Sequence, residues 1–230
     1  MTANSTHRFP AALPVAVIFD MDGLMLDTER LERDLWRAAA LRHGFVITAE
    51  FNVRLVGRRA IEAEKIVLEH FGLTFPLESI KAEVRRQWEQ IAATTGMPRK
   101  PGLEELLAYL ERAGIPKAVA TSTVRTKALV SLGPLAERFA ALVCGDDVVE
   151  AKPAPDIYLL AARQLGVRPQ HALALEDSLP GVAAARAADM PVIMIPDLVQ
   201  PPEPPEFICA TLAQVRDWLL EQAGTQRPAD

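Results

Sequence analysis

One short stretch constrains the fold more than any other part of the chain. The apolar run Val-Ala-Val-Ile-Phe at residues 15–19 stops abruptly at Asp20, and Asp22 and Gly23 follow within three residues. A continuous run of β-branched and aromatic residues is typical of a strand buried on both faces of a parallel sheet. Ligands bind at the carboxyl ends of such strands. The stretch therefore predicts a site at Asp20 and Asp22, although an isolated Asp-x-Asp-Gly also fits a solvated acidic turn.

The remaining pattern divides the chain into a core and an insertion. Helical periodicity continues for about seventy residues, and helices and strands alternate after the turn-rich residues 96–102, as in βαβ units. We predict an α/β fold, a doubly wound, Rossmann-like parallel sheet with an inserted helical bundle. The predicted strands are residues 15–19, 117–120, 142–144, 172–175 and 192–195. The predicted domains are 1–27 and 98–230 for the core and 28–97 for the insertion.

Composition argues against several kinds of partner. The formal net charge is −5 and no run of Lys and Arg occurs, so we expect no nucleic-acid partner. No stretch is long and apolar enough for a transmembrane helix, and residues 1–14 lack the apolar core of a signal peptide. Cys144 and Cys209 have neither metal-ligand spacing nor a disulfide pattern. We expect a cytoplasmic protein with no membrane partner; the oligomeric state is not readable, and a monomer is the simplest expectation.

Further polar residues follow later elements of the predicted core. Thr121 comes directly after a strand and before a helix, Lys152 precedes a proline in an extended loop, and Glu176 and Asp177 follow another strand. Each has a plainer interpretation alone, as a helix cap, a solvated lysine or a solvated acidic loop. Parallel topology, however, would bring them to the edge where Asp20 lies. The sequence therefore predicts one site built from all of them.

The chemistry of this set fits phosphoryl transfer. Mg²⁺ takes a few carboxylate ligands together with water and phosphate oxygens, so we expect Mg²⁺ as the cofactor. Aspartate can be the nucleophile through an aspartyl-phosphate, and nearby cations neutralise the phosphoryl oxygens. Neither a Gly-x-x-x-x-Gly-Lys-Ser/Thr loop nor a Gly-x-Gly-x-x-Gly motif occurs. Nucleotide-loop and dinucleotide chemistries are therefore disfavoured.

Four separated motifs, taken in order, resemble those of the haloacid dehalogenase-like hydrolase superfamily. They are Phe-Asp-Met-Asp-Gly at 19–23, Ala-Thr-Ser-Thr at 120–123, Lys-Pro-Ala-Pro-Asp at 152–156 and Leu-Glu-Asp-Ser at 175–178. The resemblance extends from residue 15 to about residue 197 and is specific, because the motifs arrive in the order that the family shows. The inserted helices and the form of the fourth motif are similar to the β-phosphoglucomutase-like subgroup, in which the insertion is a cap domain.

The resemblance assigns a role to each motif. It implies that Asp20 attacks phosphorus, that Asp22 is the general acid and base, and that Thr121 and Lys152 complete the catalytic set. Its implied metal site comprises Asp20, the backbone carbonyl of Asp22, and Asp177, with Glu176 beside them. The implied substrate-binding residues are Thr121, Ser122, Lys152, Arg58 and Arg59, the last two in a loop similar to the family's specificity loop. That arginine pair is also compatible with a solvated surface.

The same resemblance separates phosphatase from phosphomutase. Family dehalogenases lack the second acid, so Asp22 favours a phosphatase or a mutase. The stretches around Glu29 and Thr121 are similar to sugar-phosphate and pseudouridine-5′-phosphate phosphatases. In the related mutases a cap histidine assists the chemistry, and Glu32 stands at that position here. We predict a Mg²⁺-dependent phosphatase that hydrolyses a small phosphorylated metabolite through an aspartyl-phosphate, with a cap that closes over the substrate; a phosphomutase and a non-catalytic phosphate-binding regulator are the alternatives.

Overall fold

A computed structural model describes residues 13–55, 60–197, 200–201, 205 and 207–225. The described residues form two compact units. The core unit combines the residues up to Asp27 with those from Met97 onward, and the helical unit is Thr28–Gly96. No helix in the described ranges has both the length and the apolar character needed to span a membrane.

The core unit is built on a five-stranded parallel sheet. Its strands are β1 (Ala16–Phe19), β2 (Lys117–Ala120), β3 (Ala141–Val143), β4 (Ala172–Glu176) and β5 (Val192–Met194). They lie in the order β3-β2-β1-β4-β5, and every neighbouring pair is parallel. The predicted doubly wound α/β fold is therefore confirmed. Because β1 is central, the residues that follow it lie between the carboxyl ends of β2 and β4.

The described residues of the helical unit form four helices. They are α1 (Thr28–Arg42), α2 (Ala49–Val53), α3 (Ala60–Phe71) and α4 (Leu77–Thr94). Helix α1 packs against α4, whose Ile80, Val84 and Trp88 are buried at helical spacing. The Thr48 hydroxyl caps α2 by accepting a hydrogen bond from the Phe51 N–H at 3.1 Å. Edge-to-face and stacked rings also pack against one another in this unit, contributed by the buried Phe51 and Phe75 and the half-buried Phe45 and Phe71.

Helices of the core unit alternate with its strands. They are α5 (Leu103–Arg112), α6 (Arg125–Leu132), α7 (Asp156–Gln164), α8 (Leu179–Ala187) and α9 (Leu212–Thr225). One face of the sheet presents small residues to α7 and α8, namely Ala16, Ala118, Ala120, Ala172 and Ala174, all fully buried or nearly so. Small side chains let the helices lie close to the sheet. The loop before α7, which carries Lys152, is thereby brought to the carboxyl edge of the strands.

Some element boundaries differ from the sequence-based ones. Strand β4 includes Glu176, which pairs in register with Met194, so this acid ends the strand instead of following it. Helix α8 begins at Leu179, directly after the strand-end motif, because the Ser178 hydroxyl accepts from the Gly181 N–H at 3.2 Å and caps it. Three short 3-10 helices, Gly133–Arg138, Gly145–Asp147 and Pro169–His171, have no counterpart in the prediction.

Candidate active site

The first site feature is the tight turn that follows β1. The Asp20 N–H donates to the Leu175 carbonyl at 2.9 Å, so Asp20 continues the β1–β4 ladder by one residue. The turn then closes on itself, because the Leu26 N–H donates to the Met21 carbonyl at 3.0 Å and the Gly23 N–H donates to the Leu26 carbonyl at 2.9 Å. Buried apolar side chains hold it against the core. Asp20 is buried and Asp22 is half-buried, so this is not a solvated acidic turn.

Lys152 lies at the centre of the site. Its ammonium donates to Asp20 Oδ1 and to Glu176 Oε1, both at 2.6 Å, and to the Ala120 carbonyl at 3.0 Å. These acceptors come from the ends of β1, β4 and β2, the three central strands. The side chains of Lys152, Asp20 and Glu176 are only 6%, 11% and 0% exposed. Lys152 is therefore a buried cation between two carboxylates and not a surface lysine.

Burial and the oppositely charged neighbours have opposite effects on the pKa values of Asp20 and Lys152. Burial raises the pKa of Asp20 to about 7, against the opposing Lys152 charge and with a further contribution from Glu176. Burial lowers the pKa of Lys152, but the Asp20 and Glu176 carboxylates outweigh it and hold that pKa above the ordinary value. Lys152 is therefore a permanent cation. Asp20 has less positive charge around it than its burial requires for full ionisation at neutral pH.

Glu176 uses both of its carboxylate oxygens within the protein. Oε1 accepts from Lys152 and from the Tyr158 hydroxyl at 2.6 Å, and Oε2 accepts from the Ser178 hydroxyl at 3.0 Å and the Asp177 N–H at 3.2 Å. Gly181 leaves the space for this, since a Cβ there would lie 1.8 Å from Oε1. Glu176 is thus a fixed anchor for Lys152.

Thr121 and its neighbours form the third part of the site. Thr121 is buried after β2, and its hydroxyl accepts from the Thr123 N–H at 3.1 Å. The Thr123 hydroxyl donates in turn to Asp22 Oδ2 at 2.6 Å, which links the second motif to the first. Ser122, between them, is exposed, and its carbonyl faces Gly145 so closely that a Cβ on Gly145 would lie 2.2 Å away. The loop after β2 is therefore held in one conformation.

Three carboxylates of this edge could hold a metal ion. Among the described residues, Asp20, Glu176 and Asp177 offer oxygens that all lie within 4.8 Å of one another. Gly23 has a φ of +82°, and a Cβ there would lie 2.2 Å from Asp177 Oδ2, so only glycine leaves room for this carboxylate. Oxygen donors are those that Mg²⁺ prefers. The single positive charge of Lys152 offsets only part of the negative charge of the three carboxylates, so the donor set fits a divalent cation.

The structure thus brings together the polar residues predicted at the strand ends. Lys152 is in direct contact with Asp20 and Glu176, and an Asp177 oxygen lies within 4.8 Å of oxygens of both carboxylates. Arg58 and Arg59 lie outside the described residues, and their role remains a prediction. Sequence reasoning missed Tyr158 and the contact from Thr123. Neither contact is visible in the local sequence, since a tyrosine on the apolar face of α7 resembles ordinary core and Thr123, although it ends the second motif, has no assigned role there.

Comparisons with known proteins agree with this architecture. The model of the haloacid dehalogenase-like hydrolase family matches residues 15–189. The phosphorylated carbohydrates phosphatase of Thermotoga maritima is 35% identical over 175 residues, covering 75% of this chain and 81% of that protein. A Drosophila melanogaster protein named as a probable pseudouridine-5′-phosphatase is 33% identical over 215 residues, covering 90% and 92%. A solved T. maritima structure, provisionally named a β-phosphoglucomutase, has a TM-score of 0.77 at 30% identity and covers 90% of this chain and 98% of that one.

Proposed function

The chain belongs to the haloacid dehalogenase-like hydrolase family as a phosphoric monoester hydrolase, and we propose that it is a Mg²⁺-dependent phosphatase acting through an aspartyl-phosphate on Asp20. The observation that carries the proposal is the buried Asp20 carboxylate, held by Lys152 at the end of β1 with a second acid, Asp22, two residues away. The names of the relatives support a small phosphorylated metabolite, a sugar phosphate or similar, as the substrate.

In the first step an Asp20 carboxylate oxygen attacks phosphorus. The new oxygen–phosphorus bond forms as the bond to the ester oxygen breaks, and the departing oxygen takes a proton from Asp22. Lys152 orients the nucleophile through its 2.6 Å hydrogen bond, and its charge favours the ionised form of Asp20. Thr121 and Ser122 supply hydroxyl donors for the phosphoryl oxygens. All three ammonium protons of Lys152 already have protein acceptors, so we propose that this residue acts on the phosphoryl group through its charge.

In the second step water cleaves the acyl-phosphate. Asp22, now a carboxylate, accepts a proton from the water whose oxygen attacks phosphorus, and Asp20 departs as the free carboxylate with release of phosphate. Asp22 therefore acts as an acid and then as a base, which returns the site to its starting protonation. This role requires that its carboxylate keep one orientation through both steps.

We assign the metal to Asp20, Asp177 and the backbone carbonyl of Asp22. Glu176 borders this set, and its two oxygens already accept protein hydrogen bonds, so its main role is to anchor Lys152. Mg²⁺ bound there would neutralise negative charge on the transferring phosphoryl group. We also propose that the helical unit, Thr28–Gly96, is the cap domain. The hypothesis of a non-catalytic regulator is set aside, because the matching family is a family of hydrolases and the named relatives include phosphatases.

Phosphate release from a panel of esters tests the proposal. We expect release from sugar phosphates in Mg²⁺, loss of activity in excess chelator and recovery when Mg²⁺ is restored. Asp177→Asn should raise the Mg²⁺ concentration for half-maximal rate about tenfold or more, because it removes a charged oxygen ligand. Asp146→Asn, at an exposed position outside the cluster, is the control and should leave this concentration unchanged. Chelator-resistant turnover would contradict the metal assignment, and an unchanged titration for Asp177→Asn would remove that residue from it.

A phosphomutase is the second candidate, favoured by the structural likeness to the β-phosphoglucomutase neighbour. Glu32 argues against it, because the related mutases have a histidine at that position and a carboxylate side chain does not supply the proton-donating ring nitrogen of a histidine. We expect β-glucose 1-phosphate with a trace of the bisphosphate to yield free phosphate and no appreciable glucose 6-phosphate. A phosphorus NMR time course measures both products. Glucose 6-phosphate that accumulates faster than phosphate would establish the mutase instead.

A further inference from the structure

We propose that Thr123 is a positioning residue that orients the Asp22 carboxylate for proton transfer. The inference rests on the proposed acid and base role of Asp22 and adds to it a residue that does not itself touch the reacting atoms. Its basis is the hydrogen bond that the Thr123 hydroxyl donates to Asp22 Oδ2 at 2.6 Å. This length is typical of a charge-assisted bond from a hydroxyl to a carboxylate, which is about twice as strong as a neutral hydrogen bond.

Thr123 is itself held in place on both sides of its peptide backbone. Its N–H donates to the Thr121 hydroxyl at 3.1 Å, and its carbonyl accepts from the Gly145 N–H at 3.0 Å. The backbones of Gly145 and Ser122 are closely packed, since a Cβ on Gly145 would collide with the Ser122 carbonyl. The Arg125 guanidinium donates to the Leu142 carbonyl at 2.8 Å, which links the residues after Thr123 to strand β3. The Thr123 hydroxyl therefore approaches Asp22 from a fixed frame.

A fixed hydroxyl on one oxygen limits rotation of the whole carboxylate. With Oδ2 bound to Thr123, the torsion about the Cβ–Cγ bond of Asp22 is restrained, and Oδ1 takes a reproducible position. Proton transfer requires the donor oxygen to lie about 2.6–3.2 Å from the atom that receives the proton. Loss of this hydrogen bond would widen the range of positions that Oδ1 takes and reduce the fraction of productive encounters. Serine could provide the same bond, whereas valine has the shape of threonine without the hydroxyl.

The dependence of kcat/KM on the leaving group of the ester tests this role. Phenyl phosphate has a poor leaving group that needs the proton, whereas 2,4-dinitrophenyl phosphate has a good one that does not. The value of kcat/KM includes only steps up to departure of the leaving group, so attack by water does not enter it. We expect Thr123→Val to lower kcat/KM about tenfold or more for phenyl phosphate and less than about threefold for the dinitrophenyl ester. Thr123→Ser should stay within about threefold of the unmodified enzyme for both esters.

Two further variants make the result decisive. Asp22→Asn sets the scale for complete loss of the acid, and Thr126→Val makes the same chemical change at an exposed position on α6. Equal losses for both esters in Thr123→Val, no loss for either, or a Thr123→Ser variant as impaired as Thr123→Val would each overturn the inference. If Asp22→Asn itself does not discriminate between the esters, the proposed role of Asp22 fails, and the inference fails with it. Circular dichroism checks folding, and Thr123→Ala replaces the valine variant if that protein does not fold.

Discussion

Asp20→Asn should reduce turnover of every phosphate ester to background while leaving the fold intact. The amide cannot form an acyl-phosphate, and removal of a catalytic nucleophile lowers kcat by on the order of 10⁶ in a well-measured covalent hydrolase. The fold should survive, because asparagine has nearly the same volume and its carbonyl oxygen can still accept the hydrogen bond from Lys152. Lys152 also keeps Glu176 as its charged partner. Phosphate release across the ester panel measures the loss.

Detection of a phosphoryl adduct by mass distinguishes a nucleophile from a residue that only supports catalysis. Unmodified enzyme mixed rapidly with 2,4-dinitrophenyl phosphate should gain the mass of one phosphoryl group, and Asp20→Asn should not. Asp217→Asn is the matched control, since it makes the same change at an exposed position of α9. Retention of even a tenth of the normal kcat by Asp20→Asn, or a phosphoryl adduct on that variant, would show that another residue is the nucleophile.

Much of this site could be predicted from sequence because its parts are local. The run of residues 15–19 is apolar throughout, so the sequence indicates where the strand ends and hence where Asp20 lies. The same argument applies to Thr121 after β2 and to Glu176 at the end of β4. Because the strands are parallel, their carboxyl ends meet at one edge of the sheet, and this can be inferred without knowing how the side chains pack.

What could not be predicted depends on packing between distant segments. Tyr158 reaches Glu176 only because the alanine-lined face of the sheet admits α7 closely, and nothing in the local sequence encodes that distance. The Thr123–Asp22 bond joins residues 101 apart in the chain. The role of Glu176 changes for the same reason. The family resemblance places Glu176 beside the metal, whereas its hydrogen bonds favour an anchor for Lys152.

Lys152→Met is the second substitution with a large expected effect. Methionine keeps an unbranched apolar chain but removes the only cation that contacts both Asp20 and Glu176 among the described residues. Both carboxylates are almost completely buried, so water cannot replace the lost charge. Removal of one member of a buried ion pair costs about 3–5 kcal/mol. We expect the free energy of unfolding in chelator to fall by about this amount, and turnover to fall because Asp20 loses the bond that orients it.

Glu176→Gln distinguishes uncompensated charge from lost packing. Alone it should destabilise the protein, because the amide NH₂ cannot accept the hydrogen bonds that Ser178 and Asp177 donate to Oε2. Combined with Lys152→Met, however, it removes one of the two carboxylates left without the ammonium. Residues in direct contact couple by about 0.5–3 kcal/mol. The double variant should therefore be more stable than Lys152→Met, although each substitution is destabilising in the unmodified protein.

Urea unfolding in chelator, followed by circular dichroism, measures this coupling as a shift in the midpoint at similar slope. We expect Lys152→Met to have the lowest midpoint of the four proteins in the cycle. Lys127→Met, which removes an exposed lysine from α6, is the control and should change the free energy of unfolding by no more than about 0.5 kcal/mol. If the two effects simply add, so that the double variant is the least stable, the loss at Lys152 comes from packing. The cluster would then not depend on the ammonium to keep two buried carboxylates together, and the orientation of Asp20 would need another source.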